Sequence, residues 1–147
     1  MAYTISRSSR VDFAGDVRRL FDFDQTHNFV AVGSYRWKKW ELGGRFQASS
    51  GEPDTPIVGS TYLADINAYI PVFGEQFSIR KEAAHQLDIR VDRHWKFKTW
   101  KLSAFLDVTN VYAHPRVLGY SYNFDYSKRQ NITDLPIIPA LGVRGAF

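Results

Sequence analysis

The sequence predicts an all-β protein, an antiparallel transmembrane β-barrel of the outer-membrane type. Aromatic residues make up 16% of the 147 residues. No apolar run reaches the roughly 18 residues of a membrane-spanning helix. Segments of about ten residues, the length of a membrane-spanning strand, alternate between apolar and polar residues. Short turns and long loops follow these segments alternately, as in barrels that cross a membrane.

The first three strands are predicted in the N-terminal third of the chain. A short strand at Tyr3–Ser9 alternates apolar side chains with Thr and Ser. In Asn28–Trp37 the odd positions are apolar or aromatic, and in Trp40–Ser49 the even positions are. Only Lys38 and Lys39 separate the second and third strands, which predicts a tight antiparallel hairpin.

The last three strands follow the same pattern. His85–Phe97 alternates cleanly, with Arg93 as the one misfit on the apolar side. Trp100–Thr109 comes next, after a connection of only two residues, and the chain closes on Leu141–Phe147. The sequence therefore predicts six strands, two short of the about eight in the smallest single-chain outer-membrane barrels.

Three long connections complete the pattern, and they carry the Gly, Pro, Asp and Asn that are typical of loops. They lie at Arg10–His27, Gly51–Ala84 and His114–Pro139.

Two routes to a closed barrel follow from this pattern. If the chain closes alone, loop segments Thr61–Ile70 and Gly119–Tyr126 supply further strands, for a total of eight. If it does not, its edges at Tyr3–Ser9 and Ala140–Phe147 pair with another chain or another copy. The second route, an incomplete barrel, is the one we expect.

Composition excludes several classes of protein. The chain is one domain, residues 1–147, without cysteine, so disulfide scaffolds, thiolate metal sites and cysteine nucleophiles are excluded. A net charge of +4 without a basic block does not indicate a nucleic-acid partner.

The two faces of the strands predict which side meets lipid. Aromatic residues stand near the ends of the apolar faces, where an interfacial girdle forms in membrane barrels. We expect this girdle at Trp37, Trp40, Trp95 and Trp100. The polar faces carry both signs of charge, so cross-strand ion pairs are expected, with a ligand path as the alternative. This lumen-facing network comprises Glu41, Arg45, Asp88, Arg90, Asp92, Asp107 and Arg144.

No catalytic or metal site is predicted. The four histidines, His27, His85, His94 and His114, show no ligand spacing with a third partner. No nucleophile motif such as G-x-S-x-G occurs, so we do not expect an enzyme.

Five stretches of sequence carry a family resemblance. They are DQTH (Asp24–His27), SGEPDTP (Ser50–Pro56), HQLDIRVD (His85–Asp92), LDVTNVY (Leu106–Tyr112) and LP…PALGV (Leu135–Val143). In order and spacing they resemble the closing strands of a TonB-dependent outer-membrane receptor. The resemblance covers almost the whole chain.

The resemblance implies a location and an ancestry. In that family a barrel of about twenty-two strands surrounds a plug and imports siderophores, cobalamin, sugars or other scarce solutes with energy delivered through TonB. It implies the bacterial outer membrane, contact with lipid and with the barrel-assembly machinery, and no cofactor. The 147 residues depart from the family in lacking a plug and in having six predicted strands.

The C-terminus fits a feature of outer-membrane barrels in part. These barrels commonly end on an aromatic residue that the assembly machinery recognises, with a glycine five residues earlier and a large apolar residue two residues earlier. Gly142 and Phe147 match this signal, and Gly145 departs from it.

The expected function is therefore that of closing strands of such a receptor, whose parent activity is energised uptake of a scarce solute. In that case the rest of a split or truncated receptor, or another copy of the chain, is a partner. One alternative is a small stand-alone outer-membrane barrel with a structural or adhesive role. A soluble ligand-binding β-barrel is the other.

Overall fold

The computed structural model describes residues 1–147 as fourteen strands with no helix. In chain order they are β1 (Ala2–Ile5), β2 (Ser9–Arg10), β3 (Arg19–Leu20), β4 (His27–Trp37), β5 (Trp40–Ser49), β6 (Pro53–Asp54), β7 (Ile57–Leu63), β8 (Ala68–Phe73), β9 (Ile79–Arg80), β10 (Ala84–Lys96), β11 (Lys101–Thr109), β12 (Val117–Tyr122), β13 (Arg129–Thr133) and β14 (Ile138–Ala146). The fold thus contains no helix that could cross a membrane.

Six of the strands form one antiparallel sheet in the order β1-β4-β5-β10-β11-β14. The all-β, antiparallel prediction is confirmed. The sheet is open, because β1 and β14 do not pair with each other, so the chain forms no closed barrel. β1 pairs only with His27–Val30 of β4, which leaves the rest of that strand as a free edge.

The strand ends differ from the sequence predictions in detail. Main-sheet pairing of the opening strand stops at Ile5, because Ser6 and Ser8 bond to Thr26 and Asp24 and turn the chain into the loop. Phe97 and Trp100 lie just outside β10 and β11, where the Phe97 amide donates to the Trp100 carbonyl at 2.9 Å. The last strand begins earlier than predicted and ends one residue before Phe147.

The register places most apolar strand positions on one face. Ala31 lies opposite Phe46, which lies opposite Leu87, so the apolar positions of β4, β5 and β10 form continuous rows. The polar positions lie on the reverse, with Arg45 opposite Asp88. One face of the sheet is therefore mainly apolar and the other mainly polar, with Arg93 and Phe105 among the exceptions.

The apolar face is left uncovered. Only five of 147 residues are buried, and Val117 and Pro53 are the two apolar residues among them. Leu42 is 50% exposed, Val143 74% and Leu141 81%. Burial of apolar surface is the main stabilising term in water, and this sheet lacks it within the chain.

The two loop segments predicted as extra barrel strands do not join the sheet. Thr61–Ile70 contains parts of β7 and β8, which pair with each other across a turn at residues 64–67. Gly119–Tyr126 contains part of β12, which pairs with β13. Closing such a short turn costs less chain entropy than reaching a distant edge, which accounts for the correction. These two hairpins touch where the Ser60 hydroxyl donates to the Asp125 carbonyl at 2.6 Å.

Candidate functional site

The polar face of the sheet carries an ion-pair network. Arg45 pairs with Asp88 at 2.8 Å, and Arg36 pairs with Glu41 at 2.5 Å. Arg90 bridges two strands, with contacts of 2.8 Å to Asp92 on β10 and 3.5 Å to Asp107 on β11. Six of the seven residues of the predicted network are thus in ion pairs on one face. The seventh, Arg144, shares this face opposite Ser103 and makes no ion pair.

Asp88 is the most buried member of this network. Its carboxylate accepts hydrogen bonds from Arg45, from the Gln86 amide and from the backbone N–H of Asn110. A buried carboxylate needs such partners, since an unpaired charge would be costly. Asp88 therefore ties β5, β10 and the end of β11 together.

The four tryptophans of the predicted girdle all lie at the turn end, where β4–β5 and β10–β11 are joined. Trp37 lies opposite Trp40 in the register. The Arg93 guanidinium carbon lies 4.8 Å from the ring centre of Trp40 and 5.1 Å from that of Trp95. Cation–π contact with two rings explains why a charge is tolerated on the apolar side.

The last tryptophan joins the C-terminus to this aromatic cluster. Trp100 stacks on Phe97 with ring centres 4.5 Å apart, and on Phe147 at 5.9 Å. Phe147 is otherwise fully exposed and follows the end of β14.

Gly142 lies under an aromatic ring. A Cβ at this position would come within 2.5 Å of Cζ of Phe105, which lies directly opposite in the register. The Arg90 guanidinium carbon lies 4.0 Å from the centre of the same ring. The glycine thus makes room for a ring on the polar face, a packing role that the sequence pattern did not indicate.

The sequence did not predict a buried cluster at the loop end of the sheet, the end opposite the turns, where the long loops emerge. The Asp24 side chain is fully buried and accepts hydrogen bonds from Arg80 at 2.6 Å and from the Ser8 amide at 2.5 Å. Burial alone would raise the pKa of Asp24, but these hydrogen bonds outweigh it and hold that pKa below its ordinary value. Arg80 also donates to the carbonyls of Asp24 and Gly51.

Close backbone contact completes this cluster. A Cβ on Gly51 would lie 1.8 Å from the Lys81 carbonyl oxygen, so only glycine fits there. Beside it, β6 pairs with β9. The two ends of the 51–83 loop are therefore clamped together.

A second buried residue, Asn110, organises the loop after β11. Its side-chain amide donates to the carbonyls of His114 at 2.9 Å and Pro136 at 2.5 Å, and its oxygen accepts from the His114 amide at 3.2 Å. Its φ of 55° lies in the left-handed region, which asparagine tolerates better than most residues.

The sequence held a signal for these residues. Four of the five buried residues, Asp24, Pro53, Asp88 and Asn110, lie within stretches that carried the family resemblance. Which residues they contact is shown only by the structure.

The histidines do not converge on a common point. His85 stacks on His114 with ring centres 4.1 Å apart, and its Nδ1 lies 2.8 Å from the Tyr112 hydroxyl. His27 bonds to Tyr3, and His94 lies near Glu41 at the other end of the sheet. No group of three or more His, Asp or Glu side chains is placed to hold a metal ion.

Comparison of the chain with protein-family models, with curated proteins and with solved structures finds no match. The resemblance to TonB-dependent receptors therefore stays a prediction from the five sequence stretches.

Proposed function

We propose that this chain is part of the wall of an outer-membrane β-barrel, equivalent to the closing strands of a TonB-dependent receptor. In that assembly its apolar face contacts lipid and its polar face lines the lumen. The parent activity is energised uptake of a scarce solute.

The uncovered apolar face carries the proposal. The six-stranded sheet contains no buried hydrophobic side chain, so it has no core to stabilise it in water. A bilayer would supply the missing apolar environment, and β5, at ten residues, has the length of a tilted membrane strand. The soluble-barrel alternative needs the same face to be enclosed, and nothing in the chain encloses it.

The paired charges on the reverse face support a lumen wall. Asp88, Asp92 and Asp107 each contact an arginine, so the charges along the middle of this face are largely neutralised. Outer-membrane barrels place such residues inside, where they tune selectivity without meeting hydrocarbon.

The open edges support an assembly larger than the chain. β14 has one unpaired side along nine residues, and β4 has one unpaired side from Ala31 to Trp37. Unpaired backbone N–H and C=O groups are costly in hydrocarbon, so further strands must cover both edges.

Cysteine accessibility tests the assignment of the faces. Because the chain has no cysteine, a single introduced thiol reports one position. Ala31 and Val32 are adjacent on β4 and lie on opposite faces. In membranes, Val32→Cys should react with a water-soluble maleimide and Ala31→Cys should not. Equal labelling at both positions would refute the assignment.

Charge insertion gives a second test on the same two faces. Leu42→Arg or Leu106→Arg should block insertion or cost about 2–4 kcal/mol near the midplane, since both side chains lie on the apolar face. Gln47→Arg, on the polar face, is the control and should insert normally. Equal tolerance of all three variants would contradict a lipid-facing sheet.

Mass measurement tests the receptor assignment. Extraction from native membranes in mild detergent should yield this chain together with the remaining strands and a plug. A monomeric, closed eight-stranded barrel would favour the stand-alone alternative and overturn the proposal.

A further inference from the structure

The turn end of the sheet holds the chain's excess of positive charge. Residues 34–43, 93–103 and 143–147 carry eight Lys and Arg side chains and one carboxylate, Glu41. The rest of the chain carries eleven Lys and Arg against fourteen Asp and Glu. Farther from the turns, each charged residue on the polar face of the sheet has an ion-pair partner. The excess of positive charge on this face is therefore confined to the turn end.

These cations surround a groove of about 500 Å³ between the two turns. No carboxylate lines it, and its charged lining is Arg36, Lys38, Lys39, Lys96, Lys101 and Arg144. Only Arg36 is in an ion pair, with Glu41 at 2.5 Å. The other five cations around the groove therefore make no ion pair within the chain.

Strand pairing brings two of these cations together. Lys96 and Lys101 are directly opposite each other in the β10–β11 register, and Arg144 lies on the neighbouring strand opposite Ser103. Like charges opposite each other destabilise a strand pair. An anion bound between the two lysines would attract both of them and so offset their repulsion. The Lys39 carbonyl accepts from the His94 amide at 2.8 Å, which holds the β4–β5 turn beside β10.

We propose that this groove binds a compact polyanion that carries two or more phosphate groups. Its volume is that of a small-molecule site. Lysine ammonium and arginine guanidinium groups from one turn and four strands bind phosphate oxygens through charge-assisted hydrogen bonds. A volume of about 500 Å³ favours such a solute over an extended acidic peptide. The proposal does not depend on the receptor resemblance.

Calorimetric titration with inorganic tripolyphosphate tests the groove, with the full chain in non-ionic detergent at low ionic strength. We expect binding that weakens as salt is added. The double variant Lys96→Gln/Lys101→Gln should bind more weakly by up to about 25-fold, because each lost contact accounts for up to about fivefold. The control Arg7→Gln/Lys128→Gln removes the same charge from exposed positions without ion pairs and should bind as the unsubstituted chain does.

Three results would overturn the proposal. They are no binding by the unsubstituted chain, an equal loss in the control variant, or tighter binding of a hexaglutamate peptide than of tripolyphosphate. The last result would make an acidic segment the occupant. Tripolyphosphate should also raise the unfolding temperature of the unsubstituted chain, a measurement that does not depend on the folding of any variant.

Discussion

Substitutions of Asn110 test the packing of the loop after β11, and they separate the effect of its side-chain hydrogen bonds from that of backbone strain. Its side chain takes part in three hydrogen bonds with His114 and Pro136, and its backbone has a φ of 55°. Asn110→Gly removes the side-chain bonds and leaves the backbone unstrained. Asn110→Ala removes the same bonds and adds the strain of a left-handed residue with a Cβ.

The expected magnitudes follow from these contacts. At about 1 kcal/mol for each hydrogen bond, Asn110→Gly should lower the free energy of unfolding by about 3 kcal/mol. Asn110→Ala should lower it by about 1 kcal/mol more, because of the backbone strain. Asn131→Ala is the control, since this exposed asparagine on β13 makes no side-chain hydrogen bond, and it should leave the free energy unchanged.

Equilibrium urea unfolding in lipid vesicles, followed by tryptophan fluorescence, measures all three variants. The four tryptophans lie at the turn end, so the signal reports the whole sheet and not the mutated loop. If Asn110→Gly unfolds like the unsubstituted chain, the hydrogen bonds do not stabilise the fold. If the alanine and glycine variants are equal, the backbone argument is wrong.

Three further predictions concern the C-terminus and pH. Gly142→Ala should destabilise the sheet by about 1–3 kcal/mol in the same unfolding assay, because its Cβ would overlap the Phe105 ring. Because the pKa of Asp24 is lowered in the folded state, its ionised carboxylate stabilises the fold at pH values above the unfolded-state pKa of about 4. This contribution should disappear as the pH falls through the folded-state pKa. Unfolding temperatures measured against pH should therefore fall on the acid side of pH 4, and less steeply in Asp24→Asn. Deletion of Phe147 should impair insertion in cells far more than refolding into detergent, and equal effects would leave it a packing role alone.

The main sheet was predictable because the sequence signals that define it are local. Period-two alternation sets the faces, and the two-residue turn at Lys38–Lys39 fixes the register that places Trp37 opposite Trp40. The polar residues then fall on one face without further assumption, which is how Arg45 and Asp88 could be chosen from sequence.

The contacts within the long loops were not predictable from these local signals. Asp24 and Arg80 meet across 56 residues, and no periodicity links positions so far apart. The loop hairpins alternate like barrel strands, so pattern alone could not tell whether Thr61–Ile70 pairs locally or with the sheet. Gly142 shows a third limit, because the ring that it accommodates belongs to another strand.

The clamp at the base of the 51–83 loop separates the tip of that loop from the sheet. Beyond Asp54 and Ile79, where β6 and β9 pair, inserted residues should leave the β5–β10 register unchanged. A change in the length of this segment should therefore leave the sheet beneath it unchanged. A peptide grafted into the turn at residues 64–67 would be displayed on an anchored stem, which makes this loop a natural insertion point for an epitope.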